Sequence, residues 1–590
     1  MAGTQAFSRW FGCAVAALAV GIHSPSIAQQ APIQQAPVQQ QLPTRPQLEP
    51  PPPPPVEPSR VVVNADGAVP AADCPLSAYD VDITVQQLAF TAPDGSALPA
   101  EVVQALAGVA ADLPQGPQKI AVVCALRDRA TLALRTAGYI ASVQIPPQRI
   151  ETGTLTLQVV TAHIVEVRVR GDAGPFRGTL ARRIEQLQAL NPLNARDAER
   201  ILLLADDVPG FDVQLTLRPA GTEPGAVIGE LNVNVLRARV LANVQNYGSA
   251  QLGRETLYGR VELYGLTGAS DMTYVGGQVT ADFREQQVVQ FGHQTGIGSS
   301  GLRFSIGGTY AWSRPSIGTL DLRSQSLLTQ AELTMPLIRS IRDTVLVAGG
   351  FEFDEQRTRI FGPAGSNPLN RDRTRVLYGR ITGTHRSLDL AGLERISLSG
   401  SVDIRKGLDI FATTLPQSFV DGYTPSRFEG DSRAWVIRGA GSATARVGRI
   451  FSAVVRAQAQ WADRPLLNLD EFAIGNLTIG RGYDPGANSG DRAVGASGEV
   501  RARVIETPKF GLEYFGFYDS VWLYNLDSGA IENNRRLGSW GLGLRAILPR
   551  LAQLEATYAH PTDRALLLPG ATVAPPRFLL SLTMQYAPRR

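Results

Sequence analysis

The residues that could do chemistry are few, and most fail the tests that chemistry sets. After residue 28 the chain has four histidines: His163, His293, His385 and His560. None sits in an HExxH pair that would seat a metal, and no serine occupies a Gly-x-Ser-x-Gly elbow. Each histidine reads as an ordinary strand or loop residue. Gly439 to Gly448 is glycine-containing but lacks the Gly-Lys-Ser/Thr ending that cradles phosphates, so no nucleotide site is expected. No metal or other cofactor is called for. Two groupings remain. Cys74 and Cys124 are the cysteines outside the N-terminal leader. In an oxidising compartment they would form one disulfide; otherwise they are two separate buried thiols. The other grouping is Glu471 to Arg501, where Gly480, Arg481, Gly482 and Tyr483 lie among further glycines. A glycine-rich loop carrying one arginine can fold into a cavity, where its guanidinium needs a carboxylate. By period two, Glu513, Phe515, Phe517 and Asp519 share one face of a strand, and Leu512, Tyr514 and Tyr518 share the other. Asp519 is the first candidate partner, with Glu499 and Asp403 as alternatives. On spacing alone, a solvated arginine in an exposed turn is the plainer reading.

The elements that would hold such a pair follow from composition and pattern. With 56 basic and 53 acidic residues and a net charge of +3, nothing points to nucleic acid. Mean hydropathy is −0.04, and beyond residue 28 no apolar run reaches the roughly 20 residues of a membrane helix. A membrane barrel hides its apolar residues by alternation and is compatible with both values. Arg9, the apolar stretch Trp10 to Ile22 and Ser26-Ile27-Ala28 form a secretory signal peptide, 1–28. Cys13 lies inside the apolar run, not at its end, which argues against a lipoprotein signal. Residues 29–73 follow as a Gln/Pro-rich linker that cannot bury a core.

Two small units with the order β-α-α-β-β then follow in tandem, 74–161 and 162–236. In the first, a strand is expected over Tyr79 to Val85, helices over Pro99 to Leu113 and Arg127 to Ala137, and strands over Ala141 to Ile145 and Thr154 to Val160. In the second, helices are expected over Phe176 to Leu190 and Ala195 to Leu204, between strands at Ile164 to Val169, Asp212 to Arg218 and Leu231 to Leu236. From 237 to 590 strand alternation takes over: Ile396, Leu398, Val402 and Ile404 against Ser397, Ser399, Ser401, Asp403 and Arg405. One face is apolar with aromatics near the ends. The other is polar. Because unpaired backbone groups cannot lie in hydrocarbon, such a sheet must close. About 350 residues at roughly 20–22 per strand plus loop give about 16 strands.

Nearly the whole mature chain resembles the TpsB-type translocators of two-partner secretion, the haemolysin secretion and activation proteins of the POTRA-plus-barrel superfamily. Ile479-Gly480-Arg481-Gly482-Tyr483 is similar to the family's VRGY loop tip, with Gly490-Asp491 following, and Phe517-Tyr518-Asp519 to its FxDxG strand motif. Gly138-Tyr139-Ile140, Pro146, Gln148 and Gly153-Thr154-Leu155, with Cys74 and Cys124, resemble a first POTRA domain. Pro209-Gly210 and Pro224-Gly225 resemble a second. Asn246-Tyr247-Gly248-Ser249 and Pro336 to Ser340 resemble barrel stretches. Three features depart: Val521 stands at the final glycine of FxDxG, Ala493 follows Gly490-Asp491-Arg492 where glycine is usual, and four residues follow the aromatic Tyr586.

The resemblance implies two periplasmic POTRA domains (74–161 and 162–236) and a 16-stranded outer-membrane barrel (237–590). It also implies a loop whose Arg481 meets Asp519 in the lumen, reversing the plainer reading above. It implies an unfolded exoprotein as partner, bound by strand addition to the POTRA sheets, and outer-membrane lipid around the barrel. Members with an N-terminal plug carry it as a helix. The Pro-rich tract here argues against one. Other readings are a barrel-assembly or insertion factor of the same superfamily, an enzyme housed in a barrel, and a passive porin. The enzyme lacks a catalytic motif, and the porin would not need two α/β modules.

Overall fold

Strand alternation organises most of the chain. In Gly511–Tyr524, Tyr514 and Tyr518 point outward and are half exposed, while Glu513, Phe515, Phe517 and Asp519 point inward and are buried. Ile396, Leu398, Val402 and Ile404 face out in the same way, as do Trp435, Trp461 and Trp540. An apolar outer face with aromatics at its margins suits lipid. The structure is a computed structural model that describes residues 42–49, 63–64, 74–150, 153–389, 394–528, 530, 532–568 and 571–588. The leader expected at 1–28 lies outside the described residues, as does most of the 29–73 linker.

Sixteen antiparallel strands close into a barrel, the number the strand spacing predicts. The first, Ala238–Gln245, pairs with the last, Arg577–Tyr586, from Val240↔Tyr586 to Gln245↔Ser581. Closure gives each strand of the barrel a neighbour on both sides, which a lipid setting demands. The tallest strands are Leu320–Arg339, Asp343–Gly362 and Gly365–Leu388. At about 3.3 Å per residue they outreach the roughly 25 Å apolar band even when tilted.

Two α/β modules precede the barrel. In the first, Gln87–Thr91, Thr154–Thr161 and Ala141–Gln144 form a sheet in that order, covered by helices Ala100–Ala111 and Val122–Ala137. Leu106, Leu126, Leu134, Leu155 and Leu157 fill the space between. The strand expected over Tyr79 to Val85 is displaced. Only Asp82–Ile83 is extended there, on Gln118–Lys119, and the sheet strand begins at Gln87. The register is set by Gly153, whose carbonyl accepts from the amides of Gln86 and Gln87. Tyr79 and Val81 are left exposed.

The second module repeats the order. His163–Arg170, Phe211–Pro219 and Ala226–Val235 form its sheet, and helices Arg177–Gln188 and Ala195–Asp206 cover it around Phe176, Leu202 and Leu231. The Asn194 side chain caps the second helix by accepting from Arg196 N at 2.9 Å. Linker residues Val63–Asn64 run parallel to Leu215 and Thr216, on the outer edge of this sheet.

The second module is bolted to one end of the barrel. Arg339 grips both oxygens of Asp207 at 2.9 and 2.7 Å. Ile341 N donates to Glu199 at 2.6 Å, and Arg183 to Ser299 O at 2.7 Å. The turns touched are the short ones. The long loops 408–434 and 463–491 therefore lie at the far end.

Candidate functional site in the barrel lumen

The 463–491 loop folds back inside the barrel and carries Arg481 to the wall. Arg481 N and Nε donate to Asp519 Oδ2 at 2.9 and 3.1 Å, and NH2 donates to Oδ1 at 2.9 Å. NH1 reaches Glu499 at 2.7 Å and NH2 reaches Ser497 Oγ at 2.9 Å. The guanidinium lies 3.4 Å over the Phe517 ring. Asp519 and Glu499 are each 1% exposed at the side chain. A planar fork with two carboxylates and an aromatic floor has one seat, which arginine fits and lysine does not.

The neighbouring residues make the tip possible. Gly480 has φ +111°, a conformation that strains any other residue, and a Cβ at Gly482 would lie 2.7 Å from Pro561 N. Tyr483 is buried, its hydroxyl donating to Gly538 O at 2.9 Å while its carbonyl accepts from Arg577 at 2.7 Å. Val521 and Ala493, where the motifs usually have glycine, pack with Ile474, Ile479 and Tyr483 in one apolar cluster. The larger side chains fill the space beneath the tip and leave the Arg481–Asp519 contact intact.

Of the residues singled out in the sequence, Gly480, Arg481, Gly482, Tyr483, Phe517, Asp519 and Glu499 come together here. Asp403 does not. It lines the same lumen, but its carboxylate takes Arg380 Nε at 2.5 Å. Cys74 and Cys124 are joined as a disulfide with Cα atoms 5.9 Å apart, tying the turn at 75–78 to the helix Val122–Ala137.

Two parts of the lumen and its mouth escaped the sequence reading. The first is residues 42–49, inside the Gln/Pro tract. They enter the lumen as a single helical turn, Arg45–Leu48. Leu48 is buried among Val288, Ala311, Leu328 and Leu469. Side-chain amides hold the backbone: Gln356 of the wall and Asn468 of the returning loop donate to Pro43 O, and Gln290 of the wall to Leu48 O. Arg45 meets Asp354 at 2.6 Å. The argument against a helical plug is thus corrected in part: the tract supplies one turn, started by Pro46 near its N-terminus. The one signal was Arg45 itself, the single cation of 29–59.

The second is a cluster at the far mouth. Arg427, from 408–434, bonds Asp491 and Asp527 and reaches Glu471 at 2.9 Å, joining three loops. Burial pushes the Glu471 carboxyl up to about 7, against the pull of Arg427. Nearby, burial also raises Asp431, but hydrogen bonds from Arg433 and Arg464 outweigh it and hold the group down at about 2.

A family model for the haemolysin secretion/activation proteins ShlB/FhaC/HecB matches residues 231–546, more than half of the chain. The chain belongs to this family. As a ShlB/FhaC/HecB member it is an outer-membrane barrel transporter with its modules on the periplasmic side. It works with a secreted partner exoprotein. Solved structures agree on the fold. CdiB from Escherichia coli is 15% identical with a TM-score of 0.68, covering 88% of this chain and 94% of that one. CdiB from Acinetobacter baumannii is 16% identical with a TM-score of 0.61, covering 89% and 94%. BamA from Haemophilus ducreyi lacking POTRA domains 1–3 is 11% identical with a TM-score of 0.50, covering 86% and 100%. A search of curated proteins gives no match.

Proposed function

We propose that the protein exports one partner exoprotein, such as a haemolysin or adhesin, through its barrel in an unfolded form. The observation that carries this is a closed barrel whose lumen holds two segments bound to the wall through side chains, the 463–491 tip and residues 42–49. Neither is a barrel strand, so either can leave without opening the wall. The α/β modules act as POTRA domains and take the exoprotein as an added strand at a sheet edge, where backbone groups supply the hydrogen bonds. His163–Arg170 pairs on one side only among the described residues, and Phe211–Pro219 already carries Val63–Asn64 on its outer side. An incoming strand therefore has one open edge and one occupied edge in the second module. Lipid contacts the outward Trp, Tyr and aliphatic side chains. We assign no catalytic step; folding of the exoprotein outside draws the chain through.

The test compares secreted proteins of a strain lacking the gene with the complemented strain. One large exoprotein lost and restored is the expected result. An unchanged secreted set with many outer-membrane barrels reduced would replace this reading by a barrel-assembly role.

A further inference from the structure

Arg45 occupies a pocket built from three carboxylates on two elements. Its NH2 lies 2.6 Å from Asp354 and 3.6 Å from Asp470, and NH1 lies 3.4 Å from Glu352. Glu352 and Asp354 stand two apart on Asp343–Gly362, and Asp470 ends the turn Asn468–Asp470 in the returning loop. Two further cations belong to the wall. Arg405 is bidentate on Glu352 at 3.0 and 2.5 Å, and Arg438 donates to the Asp470 carbonyl at 3.0 Å. With Arg45 the three carboxylates of the pocket face three cations, and Glu49, half exposed on the segment itself, lies 3.9 Å from Arg45. Without it the count is two to three, and Asp354 loses the one side chain that hydrogen-bonds its carboxylate among the described residues. On the next strand Thr374 lies opposite Asp354. Two residues along the same face, Asp372 keeps a buried carboxylate oxygen with no hydrogen-bond partner among the described residues. A cavity of about 220 Å³ adjoins Arg45, Glu49, Asp403, Arg438 and Gln460.

Anything that threads this barrel must first move residues 42–49, because Leu48 is wedged between the wall and Leu469. That departure strands Asp354 in a buried position, and an uncompensated buried charge is strongly unfavourable. A guanidinium on the passing chain restores the pairing and, being a planar fork, spans Asp354 and Glu352 better than an ammonium. We infer that the Glu352–Asp354–Asp470 pocket is a subsite for an arginine of the exported polypeptide, and that Arg45 is its resident occupant. This rests on the export reading above.

The experiment uses the full chain in planar lipid bilayers. The probes are two end-blocked peptides of glycine, serine and glutamine, one with a single central arginine and one with citrulline there. Arg45→Ala should raise mean conductance. In that variant the arginine peptide should block at about tenfold lower concentration than the citrulline peptide, the ratio one charge-assisted pair supplies. Adding Asp354→Asn should abolish the ratio, and Glu352→Gln, the second variant if Asp354→Asn yields no channels, should reduce it. Equal block by both peptides in Arg45→Ala overturns the subsite, as does wild-type conductance in that variant. The export reading fails separately: a deletion strain that secretes its full set removes it even if the peptides are distinguished.

Discussion

Two arginines reach the lumen from opposite directions and are held in different ways. Arg481 arrives on a loop between adjacent barrel strands. It makes three contacts to Asp519, one each to Glu499 and Ser497, and lies on the Phe517 ring. Its neighbour Tyr483 is locked to Gly538 and Arg577. Arg45 arrives on a segment ahead of both modules. It has one short contact to a carboxylate, three longer ones, a bond to the Leu469 carbonyl at 3.3 Å, and a carrier of a single helical turn. Hydrogen bonds that share one rigid group reinforce each other, and Arg45, though as buried as Arg481, has fewer of them. Arg481 is thus built as a clamp and Arg45 as an occupant that can leave.

The largest effect should come from Arg481→Ala or Asp519→Ala. Leaving one member of a buried pair alone costs about 3–5 kcal/mol, less where lumen water screens it. The thermal midpoint of the barrel should fall clearly and secretion should drop by more than about tenfold, read by heat-shifted gel mobility and exoprotein in the medium. Arg45→Ala leaves buried Asp354 without its partner but removes fewer bonds, so it should cost about 1–3 kcal/mol, with a smaller fall in the midpoint and higher conductance. If both substitutions lower the midpoint equally, the distinction between clamp and occupant is wrong.

A smaller effect is expected at the outer mouth. Glu471 faces Arg427, Asp491 and Asp527 and accepts from Ser489. Its value of about 7 lies above the ordinary 4.5, so the group takes up a proton as the loops close. Closure is then fully favoured below pH 4.5 and weakens as pH rises toward 7. Protease cleavage of the outer loops on whole cells should rise a few-fold over that window, and Glu471→Gln should flatten the rise. A wild-type profile that is flat from pH 4.5 to 7 would refute the argument. The smallest effect is Asp403→Asn. Arg380 keeps Glu332 at 3.3 Å, so stability should change by under about 1 kcal/mol and secretion should hold. A loss matching that of Asp519→Ala would mean the two carboxylates are interchangeable.

Much of this was legible because barrel strands write their facing into the sequence. Tyr514 and Tyr518 outward, Phe517 and Asp519 inward, follow from period two alone. The Arg481–Asp519 pair needed more: the spacing offered three carboxylates, and only the motif resemblance chose among them. Arg45 was out of reach. Its main partner is 309 residues away, and a Gln/Pro tract has no periodicity to say which residue turns inward. The Arg427 cluster failed for the same reason, since its carboxylates come from two loops distant in sequence from its own. The first strand of the first module was misplaced because alternation over Tyr79 to Val85 resembles a sheet strand, while the register is set by one carbonyl at Gly153.

The grip of Arg339 on Asp207, with Glu199 and Arg183 beside it, has a consequence for encounter rates. If the module takes an exoprotein strand as proposed, its rigid hold at the pore mouth turns that strand into a tethered one. Its trailing residues then meet the lumen at an effective concentration of roughly millimolar, set by geometry and independent of how dilute the exoprotein is in the periplasm. Threading then becomes an intramolecular step, and scarce cargo is limited by its first capture, not by finding the hole.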